Sequence, residues 1–363
     1  MFLAWKEIKY SKTRFALIIG VVVLISYLVF FLTGLAYGLA QENRTSIDKW
    51  DATGIILADE SNLNINMSMF PKDQMDEVDA EETASLGIAS SVIQLEEETD
   101  DDSKINVTFF GIDGDEFITP EITDGDMFSD ANEVVGDLSL KEEEGYEIGD
   151  ELSLAGMDTT VTLVGFTENS KFNVAPVLYT DHETYQHIRA SGFGEREEEI
   201  ISAIVVRTAD DTLEEVSIGT DDLELYEINE FISNLPGYNA QVLTFGLMIG
   251  FLVLIAAMII GIFIYVLTLQ KSSMLGVMKA QGISSTYIGK SVVGQTFLLS
   301  TIGVLTGLGL TLGTGLALPN AVPFQNNGLF FVSITTLLIV VALLGAFFSV
   351  RTVVKIDPLE AID

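Results

Sequence analysis

The chain has 363 residues, 48% of them hydrophobic, and its 53 acidic residues outweigh 18 basic ones for a net charge of −35. So much apolar content coexists with so much charge only when the two are segregated: all but four of the acidic residues but only half of the basic ones lie in 41–240, a local balance of −40. With no cysteine in the chain, disulfides, thiolate zinc sites and iron–sulfur clusters are excluded.

In chain order, residues 1–14 form a basic segment in which Lys6, Lys9, Lys12 and Arg14 face only Glu7. Phe15–Leu39 is uncharged and long enough to cross a bilayer core of about 30 Å, so 15–40 is expected to be transmembrane helix 1. The stretch is too long for a signal-peptide core and reads as a retained anchor. Gly34 and Gly38 give its outer end a Gly-x-x-x-Gly face that permits close helix approach, to a second copy or to another span of the same chain.

Residues 41–240 are long enough for one or two compact lobes. Apolar or alternating runs, most of them rich in β-branched residues, predict strands at Ile55–Leu57, Ile105–Phe110, Glu151–Leu154, Val161–Phe166, Ile201–Val206 and Leu223–Ile228. Thr180-Asp-His-Glu183 has the form of a capping box and predicts a helix to about Ala190. A second short helix is expected over Asp210–Val216. The carboxylate runs Glu96–Asp102 and Glu197–Glu199 read as solvated surface, without the spacing of a calcium loop. His182 and His187, five apart, would point about 140° apart on a helix and cannot readily share a metal. No metal site is expected. No nucleophile elbow, zinc-protease motif, dinucleotide fingerprint or phosphate-binding loop is present, so neither catalytic residues nor an ATP site of its own is expected.

Three further uncharged stretches follow. Val242–Leu269 places helix 2 at 241–269, Ser291–Leu318 places helix 3 at 291–318, and Gly328–Val350 places helix 4 at 328–350. Lys271, Lys279 and Lys290 lie in the connection 270–290, and Arg351 and Lys355 in the tail 351–363. By the bias of basic residues toward the cytoplasm, the termini and that connection should be cytoplasmic, and 41–240 and the loop 319–327 outside. Ionisable residues are absent from all four spans as drawn, which argues against a proton- or sodium-driven carrier. The expected architecture is a membrane α-helical protein with four transmembrane helices and a large α+β extracytoplasmic domain inserted between helices 1 and 2. Membrane lipid is its surroundings, and no nucleic-acid partner is expected.

A short helix over Met274–Ala280 would present methionines and a leucine at the cytoplasmic side. It could lie on lipid or dock in a groove of a soluble partner. Here the chain resembles a known family. Met274-Leu-Gly-Val-Met-Lys-Ala-Gln-Gly-Ile-Ser284 is similar to the loop after span two of FtsX/MacB-type ABC permeases. Arg351–Ile362, with its Pro-Leu-Glu-Ala ending, resembles the closing motif of that family. Tyr146–Gly156 followed by Val161–Gly165 resembles the Gly-Asp strand pair of its outer domain. The methionine loop and the Gly34–Asn43 end of span one are similar to HrtB-like haem-exporter permeases. Where many members carry Arg/Lys-Glu before the loop glycine, this chain has Ser273-Met274-Leu275, which leaves apolar docking in place of a salt bridge.

The resemblance implies a permease homodimer joined to two separate cytoplasmic ATPase subunits, which bind the ATP. It assigns Met274, Leu275, Gly276, Val277, Met278 and Gly282 to ATPase coupling, and makes Gly34 and Gly38 candidates for the dimer seam. It also implies an amphiphilic substrate, haem first. Haem is flat and apolar with two carboxylates, so it needs a lateral entrance from the bilayer. Tyr37, Gln41, Glu42 and Asn43 at the end of span one, with Tyr238 and Met248 at the start of span two, are the candidate substrate residues. Carboxylate, phenolate and thioether can each ligate haem iron, and Glu42 is the best single choice. The plainer alternative is an interfacial aromatic belt and a space-filling methionine. Two other functions stay open at this point: an FtsX-like transducer that regulates an extracellular partner such as a wall hydrolase, and a membrane-anchored sensor.

Overall fold

The computed structural model describes residues 12–96, 103–157, 159–193, 198–270 and 272–354. It divides into two compact units, one made of the segments before Gly38 and after Leu243, the other spanning Leu39–Val242. The carboxylate run at 97–102, the tail from Lys355 onward and the residues before Lys12 lie outside the described residues.

The outer unit is built on β1 (Gly54–Ala58), β2 (Glu82–Leu95), β3 (Ile105–Gly111), β4 (Glu133–Asp137), β5 (Glu151–Leu154), β6 (Thr160–Thr167), β7 (Ala175–Thr180), β8 (Ala203–Arg207) and β9 (Leu223–Glu227). Pairing runs β7–β4–β6–β5–β2, and β3 bonds to both β2 and β7, so six strands close into a ring. The other half of β2 continues into a second sheet, β2–β8–β1–β9. β2 is therefore shared: Glu82–Leu86 pair with β8, and Gly87–Ile93 pair with β3. Strand alternation divides the apolar residues between two cores. Val107, Phe109, Val134, Leu163 and Leu178 fill one, and their neighbours Phe110, Val135, Val177 and Tyr179 fill the other with Trp50.

Gly87 and Gly111 face each other across β2 and β3. A Cβ on either would lie 2.3–2.5 Å from Tyr185 of the helix α2 (His182–Phe193), so the paired glycines make the seat for that ring.

Three expectations for this unit need correction. The cap of α2 is Asp181, whose Oδ1 accepts from Thr184 N at 2.7 Å, while Thr180 closes β7. Asp210–Val216 is not helical: Asp210 takes the Thr212 amide at 3.1 Å in an Asx turn, and Asp211 has φ +55°. The run Ile201–Val206 is broken, because Ser202 N bonds to Leu86 O and separates Ile200–Ile201, paired with Phe70–Pro71, from β8.

The membrane unit contains α1 (Lys12–Gln41, whose last residues pass into the outer unit), α3 (Tyr238–Gln270), α4 (Ser272–Ala280), α5 (Ser285–Gly315) and α6 (Gly328–Val354). Stretches of α1, α3, α5 and α6 are long and apolar enough to cross a membrane. α5 begins six residues ahead of Ser291 and ends at Gly315, before Leu318. Small residues bring the helices together, as expected where lipid supplies no hydrophobic contrast. A Cβ on Gly307 would meet Ser26 Oγ at 2.1 Å and Tyr27 N at 2.9 Å, and one on Gly303 would meet Val22 Cγ1 at 2.6 Å. Ser26 Oγ donates to Val22 O at 2.7 Å, so its hydroxyl is satisfied within α1.

Candidate functional site

α4 shows how the methionine loop is made. Gly282, at φ +86°, ends the helix in the left-handed conformation that glycine adopts without penalty. Its N–H donates to Lys279 O at 3.0 Å, and Ile283 N donates to Met278 O at 3.1 Å, the double bond of a Schellman turn. Met278, Ile283 and Ile288 then pack together under that turn. Ser284 caps α5, its Oγ accepting from Tyr287 N at 3.3 Å. Gly-Ile-Ser is thus a turn, a plug and a cap in consecutive residues.

This redistributes the coupling residues. Met274 and Val277, three apart and on one face, are 45% and 43% exposed. Gly276 is buried, Met278 is half-buried inside the turn and Gly282 shapes the chain. The exposed apolar face is therefore Met274 and Val277, and the other three position it. Leu275 lies on the helix with its side chain outside the described residues.

The expected dimer face on α1 is filled from within the chain. A Cβ on Gly34 would lie 2.3 Å from the ring of Phe324, and one on Gly38 would lie 1.9 Å from Pro323 O. Gln325 N also donates to Gly34 O at 3.2 Å. These glycines admit the 319–327 loop.

The six candidate substrate residues fall in both units. In the membrane unit, the Tyr37 ring meets Phe330 edge-on with centroids 5.6 Å apart, and Met248 is 36% exposed on α3. In the outer unit, Glu42 Oε1 pairs with Lys171 Nζ at 3.1 Å, and Glu143 approaches the same amine at 3.6 Å. Burial works against the charged amine, but Glu42, Glu143 and Asp137 outweigh it and hold Lys171 above the usual lysine range. Glu42 is thus committed to a half-buried ion pair, which weakens it as an iron ligand. Asn43 is buried and donates to Leu39 O and Gln241 Oε1. Gln41 is half-buried, and Tyr238 borders the outer core and hydrogen-bonds Arg44.

A polar cluster in the outer unit had no sequence signal. His182 is buried, its Nε2 2.7 Å from Ser85 Oγ, and Ser85 also bonds Glu116 through N–H and hydroxyl. Lys72 joins Asp113 at 2.9 Å and Glu199 at 3.2 Å. Burial, then Lys72, pulls His182 below the usual imidazole range against the nearby carboxylates, so the ring is held neutral. Burial raises Glu116, and the Ser85 amide only partly offsets this. His187 is exposed on the other side of the helix. The cluster ties five segments together across sequence separations too wide for any local pattern to reveal. Among the described residues, no group of acidic or histidine side chains is placed to hold a metal. In the membrane unit, a cavity of about 30 Å³ between α1, α3 and α5, lined by Thr268, Gln295, Thr296 and Ser300 among apolar residues, has room for a water or two but not for a porphyrin.

Residues 246–358 match the family model of the FtsX-like permease C-terminal domain. That stretch resembles an FtsX-like permease domain. α4, α5, α6 and most of α3 fall inside that match. Over its full length the chain is 25% identical to a protein of Staphylococcus epidermidis named "Putative hemin transport system permease protein HrtB", covering 99% of it. It is 23% identical to the protein of the same name from Staphylococcus haemolyticus, again over 99%. Among solved structures, the extracellular domain of the noncanonic ABC-type transporter YknZ from Gram-positive bacteria matches 43% of this chain and 84% of its own, at 15% identity and TM-score 0.30. The periplasmic region of MacB from Actinobacillus actinomycetemcomitans matches 50% and 92%, at 12% identity and TM-score 0.35. The chain is thus similar, at low identity, to permeases of ABC-type transport systems, and has four helices long and apolar enough to cross a membrane among its described residues.

Proposed function

We propose that this permease extrudes an amphiphilic substrate, haem, from the membrane, driven by two copies of a separate cytoplasmic ATPase that bind the ATP. The observation that carries the reading is the end-to-end similarity to proteins named as hemin transport permeases. The spans support it, because among the candidate membrane stretches only α5 carries a charge, Lys290 near its start, and a greasy planar substrate needs lateral access and no ion relay. In this reading the permease is a homodimer, its termini and α4 are cytoplasmic, and residues 41–240 are outside.

α4 is the coupling element, with Met274 and Val277 seated in an apolar groove of the ATPase. Met274→Asp with Val277→Asp would bury charge at that contact. ATP hydrolysis should then continue without haem export. Normal export and ATPase binding by the double variant would remove the assignment. Met278 is unsuitable for the test because it plugs the turn.

For the substrate, Tyr37 and Met248 are the favoured contacts, and Glu42 contributes only if it leaves Lys171. The deciving experiment is hemin titration of the purified permease, recording the Soret band for wild type, Tyr37→Phe, Glu42→Ala and Met248→Ala. A shifted band in wild type that changes in Tyr37→Phe or Met248→Ala supports the site; four identical titrations rule it out. Loss of resistance to toxic haem in a deletion strain separates export from a purely signalling role.

A further inference from the structure

Between α5 and α6 the membrane unit has an open groove of about 640 Å³, lined by Ser285, Thr286, Lys290, Val293, Phe297 and Phe347, among others. Ser285, Gly289, Val293 and Phe297 recur every four residues along α5, so they form one stripe down that helix. From Ser285 to Phe297 the stripe is about 18 Å long at 1.5 Å per residue, close to half of a bilayer core of about 30 Å. Its polar groups sit at one end, next to α4. Its apolar wall occupies the rest.

Among the described residues of the unit, the charge at the polar end has no counterpart. Lys290 is exposed, and there is no aspartate or glutamate in 12–38 or 243–354. An anion for Lys290 must therefore come from outside these residues. The hydroxyls of Ser285 and Thr286 stand at the same end, where the start of a long helix also favours negative charge. Gly289 and Gly294 keep the floor low. A Cβ on Gly294 would meet nothing within 4 Å, and one on Gly289 would touch Val350 at 3.0 Å.

We propose that this groove is a binding site for an acidic phospholipid. Its phosphate pairs with Lys290 and the two hydroxyls, and one acyl chain lies along Val293, Phe297 and Phe347. The occupant is a lipid because the groove opens along helices that span the bilayer, and its depth and polarity follow one leaflet.

The test uses the full-length permease in nanodiscs of equal phosphatidylglycerol and phosphatidylcholine with matched chains, and native mass spectrometry of the lipid retained. Wild type should retain phosphatidylglycerol with about fivefold preference, the ratio that corresponds to about 1 kcal/mol per lysine near an anionic surface. Lys290→Gln should abolish the preference, and Lys290→Arg and Lys279→Gln should keep it. Gly294→Leu, which fills the groove without touching the charge, should lower the retained lipid of either kind. Size-exclusion elution at the wild-type volume establishes that each variant is folded. An undiminished preference in Lys290→Gln, or an unchanged lipid complement in Gly294→Leu, overturns the proposal. So does stoichiometric displacement of the lipid by added hemin, which would make the groove a porphyrin site.

Discussion

The two units of this chain bury their residues by different means. The outer unit, in water and with a charge balance of −40 over 41–240, relies on large side chains: Trp50, Phe109, Phe110, Phe166 and Tyr179 are all fully buried. The membrane unit has no carboxylate among its described residues and relies on small ones, with Gly303 and Gly307 of α5 pressed against α1. The contrast follows from the solvents. Water rewards removing apolar area at roughly 25 cal/mol per Å², whereas lipid tails give no such reward and leave close contact to do the work.

That contrast predicts which substitutions hurt where. The largest effect is expected from Phe109→Ala, which empties the centre of the β ring at a cost of about 3–5 kcal/mol. Urea unfolding in detergent, followed by the fluorescence of Trp50 in a Trp5→Phe background, should show the loss. Gly307→Leu comes next, because it drives carbon into the α1 backbone at Tyr27 N. Overpacking of this kind costs about 1–3 kcal/mol and should lower the thermal midpoint of the membrane unit while leaving the Trp50 transition in place. If Gly307→Leu were neutral and Gly307→Ala stabilising, close contact would not be what holds these helices.

Acidification should act on the outer unit alone. His182 has its folded value below 6.5, so the unfolded state binds the extra proton first as pH falls. Stability is full above pH 6.5 and declines as pH drops from there toward 5. Glu116, raised by burial, acts in the opposite sense but only as pH enters the carboxylate range. His182→Gln should flatten the slope of the Trp50 midpoint between pH 7 and 5. Added salt should have a smaller effect, raising the same midpoint between about 0.02 and 0.3 M sodium chloride by screening repulsion among the acidic residues; a fall would mean that ion pairs such as Lys171–Glu42 dominate. Smallest of all is Glu82→Gln. Its carboxylate is drawn down by Arg207 at an exposed edge, and exposed pairs rarely contribute 1 kcal/mol. A change near zero in the unfolding midpoint is expected.

The four long helices were legible because lipid imposes one pattern, an unbroken apolar run, that no other feature interrupts. The strands with dense β-branching, such as β3 and β6, were equally plain. β2 was missed because Ser85, Gly87, Ser90 and Ser91 break its apolar run, and two of them answer to distant partners: Ser85 to His182, Gly87 to Tyr185. The same cause explains the site. The motif Gly282-Ile283-Ser284 could be read as family likeness, but its division into turn, plug and cap needed coordinates. Nothing local to Gly34 and Gly38 could say that Pro323 and Phe324 sit on them. Sequence reports what a residue can approach, and the fold decides what arrives.

One feature of the outer unit bears on how motion would pass through it. β2 runs for 14 residues without interruption, about 45 Å at the rise of an extended strand, and belongs to both the ring and the four-stranded sheet. It acts as a tie rod. A pull on β8 or β1 reaches β3 and β5 through one continuous backbone, with no intervening loop to stretch and absorb it. The two halves must therefore tilt as one stiff lever, and shearing either from the other means breaking a ladder of hydrogen bonds along β2 together.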